Sequence, residues 1–166
     1  MRGTSFRVLI TVLTLLLAGA GAAAADVSRY VGYGGPVGWP GCDSTTIAGP
    51  VDAGLLGGID AVTYQNCQWV GGLTFEVDAL LPWTMNATSP SAYVIDDIEI
   101  DFAGPGCAGT VAGSANAWYD VGLGVLTVLD QGTVITSLDP SNDCLGLVQV
   151  GEPVPVLADS YSIVLM

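Results

Sequence analysis

Leu73-Thr74-Phe75-Glu76-Val77-Asp78-Ala79 carries apolar side chains at the odd positions and polar ones at the even positions. Successive side chains of a strand point to opposite faces, so this spacing predicts a strand with one packed and one wet face. Asp97-Ile98-Glu99-Ile100-Asp101-Phe102 repeats the alternation, and Ser160-Tyr161-Ser162-Ile163-Val164-Leu165 begins the same way before ending in an apolar run. Weaker stretches of the same character are 61–65, 83–88, 110–119, 125–129, 133–138 and 145–150. No long stretch free of Gly and Pro shows helical apolar spacing.

Turn formers separate these stretches: Gly71-Gly72, Ser89-Pro90, Gly104-Pro105-Gly106, Asp130-Gln131-Gly132 and Asp139-Pro140-Ser141-Asn142-Asp143. The expected fold is therefore all-β. It is a single-domain β-sandwich or flattened β-barrel of about nine short antiparallel strands. Residues 125–129 and 133 onward read as a hairpin around Asp130-Gln131-Gly132, with Gly132 in the left-handed position.

The segment from Tyr30 to Gly41 differs in kind, with Gly at 32, 34, 35, 38 and 41 and Pro at 36 and 40. It is expected to be an irregular arm, residues 26–41, leading into a disulfide-stapled β domain at 42–166. Two roles compete for it. The glycines would let a ligand approach while Tyr33 and Trp39 stack on it, or the aromatics would plug the core as the arm covers a sheet edge. The second role is favoured, because large exposed apolar patches are uncommon on monomeric proteins.

Ahead of the arm, Arg2 and Arg7 precede an apolar stretch, and Ala22-Ala23-Ala24-Ala25 supplies small residues before Asp26. This is the three-part pattern of a cleaved secretory signal peptide, residues 1–25, leaving no membrane span. Cys42, Cys67, Cys107 and Cys144 all follow it. An even count in an oxidising compartment reads as two disulfides, for which three connectivities exist. Local pairing, Cys42–Cys67 with Cys107–Cys144, needs the least crossing of the chain. Separations of 25, 40 and 37 residues lack the close cysteine pairs of a zinc site.

Charge removes whole classes of chemistry. The chain has no His and no Lys, and Arg29 is its only basic residue beyond the leader, against sixteen acidic residues. A Ser-His-Asp triad, a Schiff-base lysine and a His-ligated metal cannot be assembled. Nucleic acid and anionic lipid would be repelled. What remains is carboxylate chemistry, hard-cation binding or no catalysis.

Asp96, Asp97, Glu99 and Asp101 form the densest charge cluster. On a strand, Asp97, Glu99 and Asp101 share a face with about 7 Å between neighbours, which suits a solvated sheet face better than a Ca²⁺ site. Glu76 and Glu99 could pair across a sheet as a glycosidase couple, but open strand faces do not raise a pKa for acid catalysis. Among the aromatics, Trp83 is expected in the core, and Tyr33 and Trp39 at the surface. Asn86-Ala87-Thr88 matches the glycosylation sequon.

Three passages together resemble a known group: Leu81-Pro82-Trp83-Thr84-Met85-Asn86-Ala87-Thr88-Ser89, Gly104-Pro105-Gly106-Cys107-Ala108-Gly109-Thr110-Val111 and Cys144-Leu145-Gly146-Leu147-Val148, with Asn66-Cys67 upstream. They are similar to small secreted bacterial β-proteins and, more distantly, to the activator-of-alkane-oxidation (PraB-like) family. The similarity spans 62–164. It implies a secreted, non-catalytic role at the cell surface or in the medium, and brings no catalytic residues.

The expectation is thus a secreted structural or interface-active protein without a cofactor. A glycan- or apolar-ligand-binding module and a calcium-dependent adhesion module are the alternatives.

Overall fold

A computed structural model of the chain describes residues 28–38, 41–69 and 72–166. Thirteen strands run through them. The first half holds β1 (Arg29–Gly34), β2 (Ser44–Asp52), β3 (Leu55–Leu56), β4 (Ala61–Gln65), β5 (Gln68–Trp69), β6 (Leu73–Thr74) and β7 (Glu76–Ala79). The second holds β8 (Thr84–Ala87), β9 (Ala92–Gly104), β10 (Cys107–Asp120), β11 (Val125–Gln131), β12 (Val134–Asp143) and β13 (Ser160–Leu165).

Eleven of these make one antiparallel sheet in the order β3-β2-β1-β13-β11-β10-β9-β7. β4 also pairs with β2, β8 with β9 and β12 with β10, while β5 and β6 form a separate small ladder. The sheet curls into a half-barrel, the flattened-barrel form of the expected all-β fold. Ile59 and Trp83 exchange two backbone hydrogen bonds of 2.9 Å and tie its two edges together. Inside lie Tyr30, Ile47, Trp83, Ile95, Leu126 and Tyr161, all essentially without solvent contact. The alternation behind this is plain in β9, where Ile98, Ile100 and Phe102 are buried while Glu99 and Asp101 are exposed.

Both disulfides form as local pairs, Cys42–Cys67 and Cys107–Cys144. The register explains the choice. Cys42 precedes β2 and Cys67 follows β4, and Ser44 lies opposite Gln65 in that ladder. Cys107 opens β10 and lies opposite Asp143, the neighbour of Cys144. Each bridge closes the end of an antiparallel pair.

Five local expectations are corrected. The alternating stretch 73–79 is not one strand, since Leu73–Thr74 pairs with β5 and Glu76–Ala79 with β9, and buried Phe75 lies between the two ladders. The glycine-rich arm is not irregular at its start, since β1 is an inner strand between β2 and β13. Gly32 and Gly34 serve packing there. A Cβ at Gly32 would meet the Ile163 side chain at 2.8 Å, and one at Gly34 would meet the Tyr161 ring at 2.6 Å. Residues 125–133 are not a hairpin. β11 and β12 follow one another along the same side of β10, with Ala115 opposite Gln131 and Ala112 opposite Val134. Residues 139–142 are not a chain reversal but an outward bulge of β12, since Leu138 pairs with Gly109 and Asp143 with Cys107. Asp139 caps that bulge by accepting from the Ser141 amide at 2.8 Å and hydroxyl at 2.6 Å. Residues 145–150 are not a strand. Cys144, Leu145 and Gly146 have φ of 60°, 56° and 72°, a left-handed turn.

Candidate functional site

The acidic stretch of β9 is broken by a bulge. Ile95 pairs with Ala115 and Ile98 with Gly113, so three steps of β9 oppose two of β10, and Asp97 takes a left-handed φ of 58°. The bulge turns Asp96 and Asp97 toward β8, where Asn86 donates to Asp96 at 3.1 Å and Thr84 donates to Asp97 at 3.1 Å. Asp101 instead accepts from Thr110 at 2.7 Å. Asp97, Glu99 and Asp101 therefore sit on the solvent face with different neighbours. Among the described residues no group of three or more acidic or thiol side chains is placed to hold a metal ion.

Glu76 and Glu99 do not meet. Glu76 lies opposite Ala103, four residues along β9 from Glu99, which is about 13 Å at strand spacing. The two geometries of glycoside hydrolysis need roughly 5–9.5 Å.

Of the two aromatics assigned to a ligand site, Trp39 lies outside the described residues. Tyr33 is 58 % exposed on the outer face of β1, opposite Thr46 and Ser162. Trp83 is in the core, its indole N–H donating to the Leu80 carbonyl at 3.1 Å. Trp118 is a second exposed aromatic on the outer face, across from Thr127 and Ala92.

Both ends of the half-barrel expose apolar side chains, which at the disulfide end are Leu145 and Leu147 just beyond Cys144. Both disulfides lie at the end where β2 and β10 begin. At the other end the β10–β11 turn exposes Val121 and Leu123, the latter 77 % open to solvent. Ile163 donates its amide to the Gly124 carbonyl at 2.7 Å, which continues the β11–β13 pairing to the β10–β11 turn. Leu165 lies opposite Tyr30, and Met166 exchanges backbone bonds with Arg29. Val164, Leu165 and Met166 are all exposed, as is Leu55 at the nearby β2–β3 turn. The result is an apolar rim on an acidic body. Arg29 also stands here, paired with Asp60 through two contacts of 2.9 and 2.6 Å. The hydrogen bond and charge of Asp60 hold its pKa above the ordinary value. Sequence reading registered the apolar end of β13 without a place for it; only the register brings it to the β10–β11 turn.

A cleft of about 280 Å³ opens elsewhere, between the end of β11 and the segment 153–159. Asp130 and Asp159 line it together with Leu129, Pro153 and Pro155. Nothing in the alternation pattern singles out these two aspartates, because they are 29 residues apart and meet only through the fold.

Fold and surface thus define an all-β, disulfide-stapled acidic domain with an apolar rim around the β10–β11 turn and the end of β13. Comparison with protein-family models, with curated proteins and with solved structures finds no match.

Proposed function

We propose that this is an exported, non-catalytic protein of the cell surface or surrounding medium, and that its apolar rim meets uncharged apolar surfaces. The rim carries this reading. Single exposed apolar residues are ordinary, but Val121, Leu123, Val164, Leu165 and Met166 exposed together around one turn support a contact surface. The formal charge of −13 disfavours anionic membranes and nucleic acid as the partner. Two disulfides support an oxidising compartment, as does the leader pattern. The chain's want of His and Lys, and the wide separation of Glu76 from Glu99, support a role without catalysis. The resemblance to PraB-like exported proteins points the same way.

Pendant-drop tensiometry at a hexadecane–water boundary tests it, with the triple variant Leu123→Ser, Val164→Ser and Leu165→Ser beside the parent. The parent should lower the interfacial tension and the variant should do so much less, at an unchanged melting temperature. Equal behaviour of the two, or recovery of the protein from the cytosol of its host, would overturn the reading.

A further inference from the structure

The cleft beside β11 has walls that are already joined. The Gln131 side-chain amide donates to the Leu157 carbonyl at 3.0 Å and accepts from the Val156 and Leu157 amides at 2.9 Å each. Val128 donates its amide to the Asp159 carbonyl at 2.8 Å. Val154 donates to the Thr133 carbonyl at 3.0 Å, and the Thr133 hydroxyl donates back to the Val154 carbonyl. Binding here need not order the walls, which removes a large part of the usual entropic cost.

One carboxylate stands on each wall, Asp130 on β11 and Asp159 on the facing segment. Among the described residues the ion pair is Arg29 with Asp60, at the apolar rim, so neither cleft carboxylate has a cation of its own. Both carboxylates are exposed to water, and with no cation beside them the cleft presents a negative field that favours a cationic ligand. An anionic ligand would be repelled, and a purely apolar one would strip water from two carboxylates without compensation. A bare Ca²⁺ ion wants about six to eight oxygen ligands, more than two side chains offer. An organic cation satisfies both halves of the lining. Its ammonium or guanidinium head makes charge-assisted hydrogen bonds to the carboxylates, and its aliphatic stem lies on Leu129, Pro153 and Pro155. Size narrows the choice, since the cleft is at the lower edge of the roughly 300–1,000 Å³ of small-molecule sites. It suits a single side chain or a short alkylamine.

We propose that this cleft is a binding site for an ammonium or guanidinium group on an aliphatic chain. The source is a lysine or arginine of a partner protein, or a free alkylamine. The site is independent of the apolar rim, and its failure would leave the rim reading untouched.

The test is an NMR titration of the full oxidised chain with three probes: pentylammonium, an acetylated and amidated Gly-Lys-Gly peptide, and 1-pentanol. The two cations should give saturable shifts at Val128, Leu129, Gln131 and Val154, and pentanol should give none. Asp130→Asn with Asp159→Asn should weaken cation binding by about tenfold or more. Tighter binding of the peptide supports the partner side chain, and equal binding supports the free amine. Absence of saturable binding overturns the proposal, as does binding unchanged in the double variant or shifts spread evenly over all acidic residues. Each single variant gives the same readout should the double variant fail to fold.

Discussion

Ala53 is one of five non-glycine residues, among those described, that take a left-handed backbone. Val51 pairs with Leu56 and Asp52 with Leu55, so Ala53 and Gly54 are the two central residues of a tight hairpin turn. Their φ values are 50° and 81°. A two-residue turn with both central φ positive is the form that matches strand twist, and Asn-Gly is its preferred sequence. Alanine in the left-handed region costs roughly 1–2 kcal/mol through its Cβ, a cost asparagine partly avoids. Ala53 is exposed, so replacement disturbs no packing. Ala53→Asn should therefore stabilise the protein by about 0.5–1 kcal/mol, read as a higher urea midpoint. An unchanged or lower midpoint would speak against this turn. Asp97 and Leu145 share the left-handed conformation, but one forms a bulge beside β8 and the other a turn beyond the disulfide. None of these three was legible in the sequence, because each is a non-glycine residue in a conformation that glycine usually takes.

At the scale of elements, alternation located β4 and β13 with their bounds, found most of β10 and β11, and found only the second half of β9, from Asp97 to Phe102. It missed β1 and β2 for a physical reason. Their inward positions are Tyr30, Gly32 and Gly34 on one strand and Thr45, Ile47 and Gly49 on the other. Glycine and threonine facing a core do not look apolar in a pattern count, yet neighbouring side chains such as Ile163 and Tyr161 fill the space above Gly32 and Gly34. Register also creates an unfavourable pair that alternation alone could not show, since Asp78 on β7 stands opposite Asp101 on β9. Like charges placed directly across a ladder destabilise it, while opposite charges contribute roughly 0.2–1 kcal/mol. Asp78→Lys should raise stability by about 0.5–1 kcal/mol at low salt, with the gain shrinking as salt is added. A denaturation series at two ionic strengths checks both parts. A loss of stability would mean that β7 tolerates only an acidic side chain at this edge.

For the whole molecule, several tyrosines packed inside the half-barrel govern its response to alkali. Tyr64 donates its hydroxyl to the Val156 carbonyl at 3.0 Å, and Tyr30 donates to the Gly58 carbonyl at 3.2 Å. The Tyr161 hydroxyl accepts from the Ala158 amide at 3.0 Å. Burial pushes all three phenol pKa values up, that of Tyr161 to about 12. Below the ordinary tyrosine value of about 10, both folded and unfolded chains keep the protons and stability does not depend on them. Above it the unfolded chain ionises while the fold holds the phenols neutral, so stability falls as pH rises toward the folded values. Each tyrosine contributes about 1.4 kcal/mol per pH unit, and three together about 4. Urea midpoints should drop steeply between about pH 10 and pH 12, with tyrosinate absorbance appearing together with unfolding. Constant stability across that range, or tyrosinate formed in the intact fold, would count against buried neutral phenols.

Local properties of the chain were enough for the all-β class, for pairing neighbouring cysteines and for excluding histidine and lysine chemistry. Period-2 alternation, cysteine spacing and composition are written along the chain, so no knowledge of partners is needed to read them. What meets what was decided by the tertiary structure. Pairing of β1 with both β2 and β13 turned a glycine-rich arm into an inner strand, and the offset between β7 and β9 separated Glu76 from Glu99. The same long-range ladders carried the apolar end of β13 to the β10–β11 turn and placed Asp130 and Asp159 in one cleft. Register and curl arise from contacts between residues far apart in sequence, and a strand's own pattern says which face is packed but not which strand lies beside it.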